Sequence, residues 1–492
     1  MPTSSRSSTF SSIRAAVSSP VRCCTSAGPA DREESLDWLI DRLRSFTGKP
    51  ALAASGKVHT YAQLAARIEE HGAFLAARGV QPGRVVALVA EYSFDAIALF
   101  FALARNRNIV VPVTTGVGGE LDDRFAEAFV DDVIRIEDRV SIQPGPLRAG
   151  GTHVLVQRLR DAGHAGLVLF SSGSVGKPKA MLHDFDNLAE HYRTRPARDS
   201  VIMVFLMFDH IGGMNTLLNS LAMGALMVIP DSRAPERVCS LIEQHKVQIL
   251  PASPTFLNLV IISEAFRHHD LSSLRLVTYG TEPMPESLLV RLSEAFPGAK
   301  YLQTFGTSET GIAKTSSLSS SSTLMKIDDP DQEYKIVDGE LWLKSKTQIL
   351  GYLNAPMDGF TDDGWFKTGD LVETAADGFL RIVGRRKEVI NVGGQKVMPA
   401  EVESALLTAP GVEDCMVYGE ANALTGQTVT ADVVLGEPRP PIEVKKELRL
   451  FLRGKLDAYK IPTRINVVDR TNFNQRFKKI RRKDGTPPGG SA

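Results

Sequence analysis

The segment from Leu167 to His183 combines hydroxyl residues, glycines and lysines in an order that suits the binding of a polyphosphate. An apolar run that favours a β-strand ends at Phe170, and the sequence Ser-Ser-Gly-Ser-Val-Gly-Lys-Pro-Lys follows it. In such a flexible loop, backbone N–H groups, hydroxyls and ammonium groups can surround an anion. The segment is not a P-loop, because that motif requires glycine where Ser171 stands and Ser or Thr where Pro178 stands. The alternative interpretation is a glycine-rich surface loop without a ligand.

Alternating helical and strand patterns surround this segment, and we expect them to position it. Apolar residues recur at helical spacing over 61–79 and 94–106, and an apolar strand follows each, ending at Val89 and Val113. The alternation continues with predicted strands at 201–208, 225–229, 247–251 and 274–279 and with predicted helices at 214–223, 235–245 and 254–262. Strands that alternate with helices of this length predict parallel sheets covered by helices on both faces.

The pattern changes after residue 328. Short alternating segments separated by turns run to 370 and predict a small antiparallel β unit, and a further hairpin is predicted at 377–383. From Arg386 onward, the chain has the pattern of a compact α+β piece with helices over 399–407 and 441–456. We therefore predict an α/β protein. Its large N-terminal domain, residues 31–385, consists of parallel sheets layered with helices plus the β unit, and a small α+β domain follows at 386–482. We expect a flexible tail at 483–492.

Length and composition agree with this organisation and exclude several classes of partner. A chain of 492 residues is too long for one core of usual size. The 57 basic and 57 acidic residues balance, so nothing in the charge indicates nucleic acid or an anionic membrane as a partner. The most apolar region, 201–230, is interrupted by Asp209, His210 and a glycine pair, so we predict no membrane span. The four cysteines are sparse and lack the spacing of metal ligands, so we predict reduced thiols and a cytoplasmic protein.

The first thirty residues have an unusual composition. They are rich in serine, contain arginines and hold no acidic residue before Asp31. This composition resembles an organelle transit peptide, which would place the protein in an organelle. The alternatives are a disordered leader or a start codon assigned too early. On each of these interpretations, residues 1–30 lie outside the fold.

Four further motifs, together with the segment 167–183, make the chain similar to a known family from Leu36 to Arg482. They are the turn 279–283 (Tyr-Gly-Thr-Glu-Pro), the segment 301–311 (Tyr-Leu-Gln-Thr-Phe-Gly-Thr-Ser-Glu-Thr-Gly), the segment 364–370 (Gly-Trp-Phe-Lys-Thr-Gly-Asp) and the run 384–403. The chain resembles the adenylate-forming enzymes, the AMP-binding superfamily of acyl-CoA ligases, luciferases and peptide-synthetase adenylation domains. The run 384–403 is the most specific stretch, because a charged turn before a strand does not account for its whole length. The resemblance implies that the small C-terminal domain is mobile.

The resemblance also implies ATP and Mg²⁺ as cofactors and gives most motif residues a role. Phe305 would pack on adenine, and the backbone of 279–283 would recognise the adenine edge. Ser308 would hydrogen-bond phosphate, and Glu309 would hold Mg²⁺, which prefers hard carboxylate oxygens. Asp370 would accept hydrogen bonds from the ribose hydroxyls. The implied nucleotide-binding residues are Ser171, Ser172, Gly173, Ser174, Gly176, Lys179, Gly280, Thr281, Glu282, Phe305, Gly306, Ser308, Asp370 and Arg385.

For the acid substrate, the resemblance implies a pocket beside His210 that Gly280, Gln303 and Gly306 also line. The structural alternative for His210 is a core residue whose hydrogen bonds are satisfied. Lys387 occupies the hinge position of the family, about which the small domain would turn.

The catalytic lysine that the family carries near its C-terminus has two candidates here. The family pattern is a Gly-Lys pair, an apolar residue and Arg, and the sequence at 474–482 is Asn-Gln-Arg-Phe-Lys-Lys-Ile-Arg-Arg. Counting without a gap from Asp469 selects Lys478, with Phe477 in the place of the glycine. Matching Lys-Ile-x-Arg selects Lys479 and requires one inserted residue. We prefer Lys478, and a solvated basic run is the alternative to both.

These expectations together predict an ATP-dependent ligase. It would activate a carboxylic acid, of the fatty or aromatic type, as an acyl-adenylate and transfer the acyl group to coenzyme A. Coenzyme A is the favoured acceptor because the stretch 392–403 most resembles acyl-CoA ligases. The alternatives are an amide-forming synthetase or a loader of a carrier protein that uses the same first step, and a non-catalytic relative that binds acyl or nucleotide ligands. We expect a monomer or a homodimer.

Overall fold

The computed structural model describes residues 36–115, 121–146, 151–171 and 177–481. The predicted leader, the predicted tail and the centre of the segment 167–183 lie outside these ranges, and so do Ser172, Gly173, Ser174 and Gly176. Within the described ranges, no helix is both long enough and apolar enough to cross a membrane.

Helices occur throughout the described chain, and many begin at residues that favour a helix start. The α-helices are α1 (Asp37–Phe46), α2 (Tyr61–Ala77), α3 (Phe94–Arg105), α4 (Leu121–Glu127), α5 (Val154–Ala162), α6 (Phe185–Glu190), α7 (Ile211–Met223), α8 (Pro235–His245), α9 (Pro254–Ile262), α10 (Glu286–Ala295), α11 (Pro399–Leu406) and α12 (Pro441–Leu452). Thr60 and Gln63 form a capping box at α2, and Ser253 caps α9. Proline stands in the first turn of α8, α9, α11 and α12, where its missing N–H costs no hydrogen bond.

Strands build the sheets that these helices cover. They are β1 (Pro50–Ala54), β2 (Lys57–Thr60), β3 (Val85–Val89), β4 (Ile109–Val113), β5 (Asp132–Ile136), β6 (Val140–Pro144), β7 (Gly166–Phe170), β8 (Ala180–Asp184), β9 (Val201–Met203), β10 (Leu226–Val228), β11 (Ile249–Ala252), β12 (Leu276–Tyr279), β13 (Lys300–Gln303), β14 (Phe305–Thr307), β15 (Gly311–Ala313), β16 (Thr315–Ser317), β17 (Met325–Ile327), β18 (Gln332–Val337), β19 (Glu340–Ser345), β20 (Gly351–Tyr352), β21 (Phe366–Thr374), β22 (Leu380–Arg385), β23 (Ile390–Val392), β24 (Gln395–Val397), β25 (Val412–Asn422), β26 (Gly426–Leu435) and β27 (Arg464–Val467).

Two seven-stranded sheets form the body of the large domain. The first sheet has the order β13-β12-β11-β9-β10-β1-β2, and all its neighbours are parallel except β1 and β2. The second sheet has the order β20-β8-β7-β4-β3-β5-β6, with parallel strands from β7 to β5 and antiparallel strands at both edges. The strands β3, β4 and β7 are buried at every residue, which explains their continuous apolar sequences.

One hydrophobic cluster joins the two sheets. Residues 96–104 of α3 are all buried in it, and the cluster also contains Leu52 and Met227 of the first sheet and Val86 and Leu167 of the second. A helix that is apolar on all sides must be enclosed, and α3 is enclosed between the sheets. The large domain therefore has a shared core at this layer.

The β unit and the small domain have their own cores. The β unit is a six-stranded antiparallel sheet of order β16-β17-β22-β21-β19-β18. The small domain pairs β24, β23, β26 and β25 in order, adds β27 beside β26, and packs apolar residues of α11 and α12 in one cluster with this sheet. The chain passes from one sheet to the other through a 3₁₀ turn at Arg386–Glu388, next to the predicted domain boundary.

The structure confirms the predicted α/β fold class, and most predicted elements agree with it. The predictions for α8 and α9 match at both ends. The strand predicted at 201–208 is wrong beyond Met203, because the N–H of Val204 is the last to bond β10, at the carbonyl of Val228, and the apolar residues after it pack into cores without pairing in the described sheets. Helix α7 begins earlier than predicted, because His210 caps it. Helix α12 ends at Leu452, since Arg453 is extended and Gly454 has a left-handed φ of 82°.

Candidate active site

A cleft of about 2080 Å³ lies between the large domain and the small domain. Its lining includes residues that follow β7, β12 and β13, the turn between β14 and β15, and the last described segment of the small domain. Ligands of open α/β sheets bind beyond the carboxyl ends of strands. This cleft is therefore the candidate active site.

The two ends of the predicted phosphate-binding segment are held together beside the cleft. Ser171 donates its N–H to the carbonyl of Lys179 (3.0 Å), and Ser171 Oγ accepts the N–H of Lys179 (3.0 Å). Asn354 fixes the returning chain, because its side chain binds the carbonyl of Pro178 (2.9 Å) and the N–H of Ala180 (2.8 Å). Ser171 and Lys179 both line the cleft, so the described ends of the segment face the site that the sequence predicted for them.

Glu309 lies in the turn between β14 and β15, also beside the cleft. Tyr352 donates its hydroxyl to Glu309 Oε1 (3.0 Å), and the ammonium of Lys179 lies 4.6 Å from the centre of the Tyr352 ring. Burial and the carboxylate of Glu309 raise the pKa of Tyr352, so the hydroxyl remains a donor at neutral pH. A Cβ at Gly306 would lie 2.3 Å from the carbonyl oxygen of Gly311, so this hairpin requires glycine. The turn thus holds one carboxylate oxygen in place, as a metal ligand needs.

Two further residues support this turn. The ring of His183 is buried against the backbone of Ser308, which lines the cleft. Burial lowers the pKa of His183 to about 4, so the ring is neutral at physiological pH. Phe305 belongs to the core of the β unit and lines the cleft as well. Its predicted contact with adenine stays a prediction.

The turn after β12 brings a backbone segment to the cleft. Gly280 and Thr281 line it, and Thr281 has a left-handed φ of 71°. A side chain at 280 would approach the carbonyl oxygen of Thr304 to 2.8 Å, so glycine is required for this close packing.

Three predicted site residues do not line the cleft: Glu282, Gln303 and Asp370, and the last of these is paired with Arg385, which does. The carboxylate of Glu282 accepts hydrogen bonds from Thr255 Oγ1 (2.6 Å) and from the N–H of Lys479 (2.7 Å). Gln303 is buried and lines a second cavity of about 660 Å³. Glu282 therefore fastens the small domain to the large one, and its predicted role and that of Gln303 toward ligands stay predictions.

Asp370 and Arg385 form a pair across β21 and β22. Arg385 Nε lies 2.7 Å from Asp370 Oδ1, whereas Asp370 Oδ2 is buried and finds no hydrogen-bond partner in the part of the chain that the structure describes. Burial raises the pKa of Asp370, although Arg385 and Lys478 act in the opposite direction. A buried acceptor without a partner is costly, so this oxygen fits a hydroxyl group of a ligand. The nucleotide ribose that the sequence predicts here supplies such a group.

The two candidate lysines have different environments. Lys478 lines the cleft, and its ammonium forms none of the salt bridges found among the described residues. Burial lowers its pKa, and the positive charge of Arg385 adds to the shift. Lys479 also borders the cleft, but its ammonium lies 3.2 Å from Asp414 and donates to the carbonyl of Cys415 (2.5 Å). The geometry thus favours Lys478 as the group that meets a ligand and Lys479 as a structural cation of the small domain.

His210 and Asp209 stand at the start of α7. His210 Nδ1 accepts the N–H of Gly212 (3.1 Å), so its ring caps the helix and also lines the cleft. Burial, with Arg476 and Lys478 nearby, lowers the pKa of His210 to about 3. Asp209 is buried and lies 3.4 Å from Arg476 of the small domain. His210 therefore has a satisfied hydrogen bond, as expected of a structural residue, and it also borders the cleft, as a substrate-binding residue must. Its contact with the acid stays a prediction.

Several residues that hold the site residues in place could not be identified from the sequence. Tyr352, Asn354 and Arg476 belong to no motif, and Arg476 lies 267 positions from Asp209. Only Asp209 carried a signal, because an acidic residue inside an apolar run must find a partner when it is buried.

The chain matches known protein families over most of its length. Residues 40–353 match the family described as AMP-binding enzyme, and residues 401–478 match the family described as AMP-binding enzyme C-terminal domain. A feruloyl-CoA synthase of Amycolatopsis sp is 27% identical over 472 residues, which cover 88% of this chain and 94% of that protein.

Solved structures show the same fold. The anthranilate CoA ligase AuaEII in complex with anthranoyl-AMP superposes with a TM-score of 0.77 at 22% identity, covering 91% of this chain and 95% of that one. The amide bond synthetase McbA from Marinactinospora thermotolerans has a TM-score of 0.72 at 23% identity, covering 90% and 97%. The first family match spans more than half of the sequence, so the chain belongs to the AMP-binding enzyme family.

Proposed function

We propose that the protein is an acid–thiol ligase, which uses ATP to activate a carboxylic acid and then transfers the acyl group to coenzyme A. The observation that carries this proposal is the meeting of Lys478, Glu309 and Arg385 in one cleft, where Arg385 is paired with the buried Asp370, whose Oδ2 has no partner among the described residues. The feruloyl-CoA synthase and the anthranilate CoA ligase support it, since both are named as enzymes that join an acid to coenzyme A.

The described residues suit the parts of a nucleoside triphosphate. Asp370 would accept a hydrogen bond from the ribose, and Arg385 would lie beside it. The segment 171–179 would donate hydrogen bonds to the phosphates. Glu309 would hold Mg²⁺, because its carboxylate is fixed by Tyr352 at the edge of the cleft. When bound, the ion would neutralise phosphate charge.

In the first half-reaction, a carboxylate oxygen of the acid attacks the α-phosphorus of ATP. The bond from that phosphorus to the bridging oxygen breaks, and pyrophosphate leaves with the bonding electrons. The ammonium of Lys478 would bind the negative charge that gathers on the acid and the α-phosphate. Lys478 is the fitting group for this task, because no carboxylate of the described protein neutralises it within salt-bridge distance.

In the second half-reaction, the thiolate of coenzyme A attacks the acyl carbon, and AMP leaves with the electrons of the carbon–oxygen bond. We propose that the small domain turns about Lys387 between the two steps, which removes Lys478 from the cleft. The 3₁₀ turn that contains Lys387 separates the last strand of the large domain from the first strand of the small one. Rotation of a domain about such a short connection is a common gate between steps.

An amide-forming reaction is the second candidate. The likeness to an amide bond synthetase favours it, since that protein shares the fold over nearly its whole length. Both candidates share the first half-reaction, so they differ only in the group that attacks the acyl-adenylate. A carrier protein acting in trans is a further acceptor of the same kind.

The test is the exchange of labelled pyrophosphate into ATP in the presence of Mg²⁺ and a panel of fatty and aromatic carboxylic acids. We expect exchange with at least one acid, followed by formation of its thioester when coenzyme A is added. If pyrophosphate exchange occurs but a product forms only with an amine, the assignment changes from a coenzyme A ligase to an amide synthetase. Nucleotide binding without exchange for any acid would indicate a non-catalytic relative.

A further inference from the structure

Phe477 immediately precedes Lys478 and has a backbone conformation that a bulky residue rarely adopts. Its φ is 50°, in the left-handed region that favours glycine. A strained residue persists only where the surrounding structure compensates for it. The contacts of the Phe477 ring supply that compensation.

The ring enters an aromatic pocket of the large domain. Its centre lies 5.5 Å from that of Phe205 and 5.3 Å from that of Phe256, and both partners are buried. Phe473 of the same segment stacks on its other side at 5.5 Å, with 19° between the ring planes. Phe477 thus packs against the core formed by the first sheet and its covering helices, although it belongs to the small domain.

Polar contacts fasten the backbone on either side of Lys478. Ser253 Oγ donates to the carbonyl of Phe477 (2.8 Å), and Arg233 donates to the carbonyl of Gln475 (3.1 Å). After Lys478, the N–H of Lys479 is held by Glu282. The loop is therefore fixed at three successive places, and the Lys478 side chain extends from it into the cleft.

We propose that Phe477 is a positioning residue, which anchors this loop in the large domain and so holds the Lys478 ammonium in the cleft during the first half-reaction. The ring must leave the pocket of Phe205 and Phe256 when the small domain turns. It stabilises the arrangement for adenylation and has no part in the attack of the acceptor. This inference rests on the proposed function.

The experiment compares Phe477→Gly, Phe477→Leu and the matched control Phe451→Leu. Phe451 is a partly buried ring in the small-domain core, remote from the cleft lining. Glycine relieves the backbone strain and removes the ring, whereas leucine removes the ring and keeps the strain, so the two variants together separate the two properties of the residue. Each variant is measured for pyrophosphate exchange, for acyl transfer from a supplied acyl-adenylate to coenzyme A, and for amide hydrogen exchange in segments 249–262 and 472–481.

We expect Phe477→Gly to lower the kcat of pyrophosphate exchange on the order of 10-fold, because losing a buried aromatic ring shifts the docking equilibrium of the loop. The KM for ATP should stay within about threefold, since the ring binds no part of the nucleotide. Acyl transfer should be unchanged or faster, both segments should lose protection, and Phe477→Leu should fall between Gly and Phe. Phe451→Leu should leave both half-reactions and the protection of both segments unchanged.

A rate of pyrophosphate exchange in Phe477→Gly that equals or exceeds the wild-type rate would overturn the proposal. Relief of the backbone strain would then affect adenylation more than loss of the ring contacts does. Equal loss in both half-reactions would also overturn it. Amide hydrogen exchange needs no substrate. If the wild-type protein shows no pyrophosphate exchange with any acid, but Phe477→Gly still loses amide protection, the anchor is supported and the proposed function is refuted.

Discussion

At the scale of single residues, two neighbouring lysines of this site have different partners. Both border the cleft, but Lys479 is nine-tenths buried against Asp414 whereas Lys478 forms no salt bridge among the described residues, and a single-residue shift in the alignment would exchange them. The sequence contains two lysines in a row, and only the tertiary contacts of Asp414 and Cys415 distinguish them. This is why motif matching left both candidates open.

The first prediction separates these lysines. Lys478→Ala should lower pyrophosphate exchange by at least ~10²-fold, because a charge-stabilising group is lost, while sparing attack on a supplied acyl-adenylate. Lys479→Ala should instead destabilise the small domain by about 3 kcal/mol, because it leaves the buried carboxylate of Asp414 without its cationic partner, bound only by the hydroxyl of Thr471. Exchange kinetics and thermal unfolding measure the two effects. Loss of stability in Lys478→Ala with full exchange would reverse the assignment.

The second prediction concerns pH. Burial and the charge of Arg385 lower the pKa of Lys478 below its ordinary value of 10.5. The ammonium is present below this pKa and is lost as the pH rises through it, so adenylation should decline on the alkaline side before an ordinary lysine would titrate. In Lys478→Arg this decline should disappear from the accessible range, since guanidinium keeps its proton. An alkaline decline that is identical in both proteins would assign it to another group.

A third prediction tests the carboxylate beside the cleft. Glu309→Ala should lower pyrophosphate exchange by at least ~10²-fold, because the proposed ligand of Mg²⁺ is lost. Tyr352→Phe keeps the carboxylate and removes only the hydrogen bond to it, so a smaller loss is expected. Raising the Mg²⁺ concentration should partly restore the Tyr352 variant. Unchanged exchange in Glu309→Ala would remove this residue from the site.

At the scale of elements, the sequence predicted correctly those helix ends that depend on residues close by in the chain. The ends of α8 and α9 were predictable because proline in the first turn, and a serine cap at α9, act within a few residues. The strand at 201–208 was overextended, because Phe205 and Phe208 are buried by packing against distant chain segments and not by pairing as part of a strand. The contacts that fix the loop around Lys478 also join residues far apart in sequence, so no motif could reveal them.

The fourth prediction concerns the turn between the domains. Proline at Lys387 would fix φ near roughly −65° and remove an N–H, which restricts rotation without touching ATP. Lys387→Pro should retain pyrophosphate exchange and lose most transfer to coenzyme A, and Lys387→Ala is the control that keeps rotational freedom. Assays of acyl transfer to coenzyme A that start from a preformed acyl-adenylate compare the second step in the two variants. Equal impairment of both steps in the proline variant would place the hinge elsewhere.

At the scale of the whole molecule, ligand binding should stabilise both domains together, because the cleft is lined by each of them. A non-hydrolysable acyl-adenylate analogue of the accepted acid, at a hundred times its Kd, should add about 2.7 kcal/mol to the free energy of unfolding. Asp370→Asn should reduce the rise in Tm, since an amide offers one acceptor where the carboxylate offers two. A Tm that rises equally in the two proteins would exclude Asp370 from the nucleotide site.

The pairing order of the sheets also determines how this protein can fold during its synthesis. Strand β1 pairs with β10, so the first sheet cannot place β1 until a strand made much later emerges, whereas the second sheet waits only for its two-residue edge strand β20 beside β8. At translation rates of about 5–20 residues per second, the roughly 170 residues between the paired strands take on the order of 10–30 s to appear. During that interval on the ribosome, open strand edges and the apolar α3 are exposed to other chains. We therefore expect the nascent large domain to depend on chaperones, whereas the small domain, whose strands pair within its own stretch of sequence, can fold soon after it emerges.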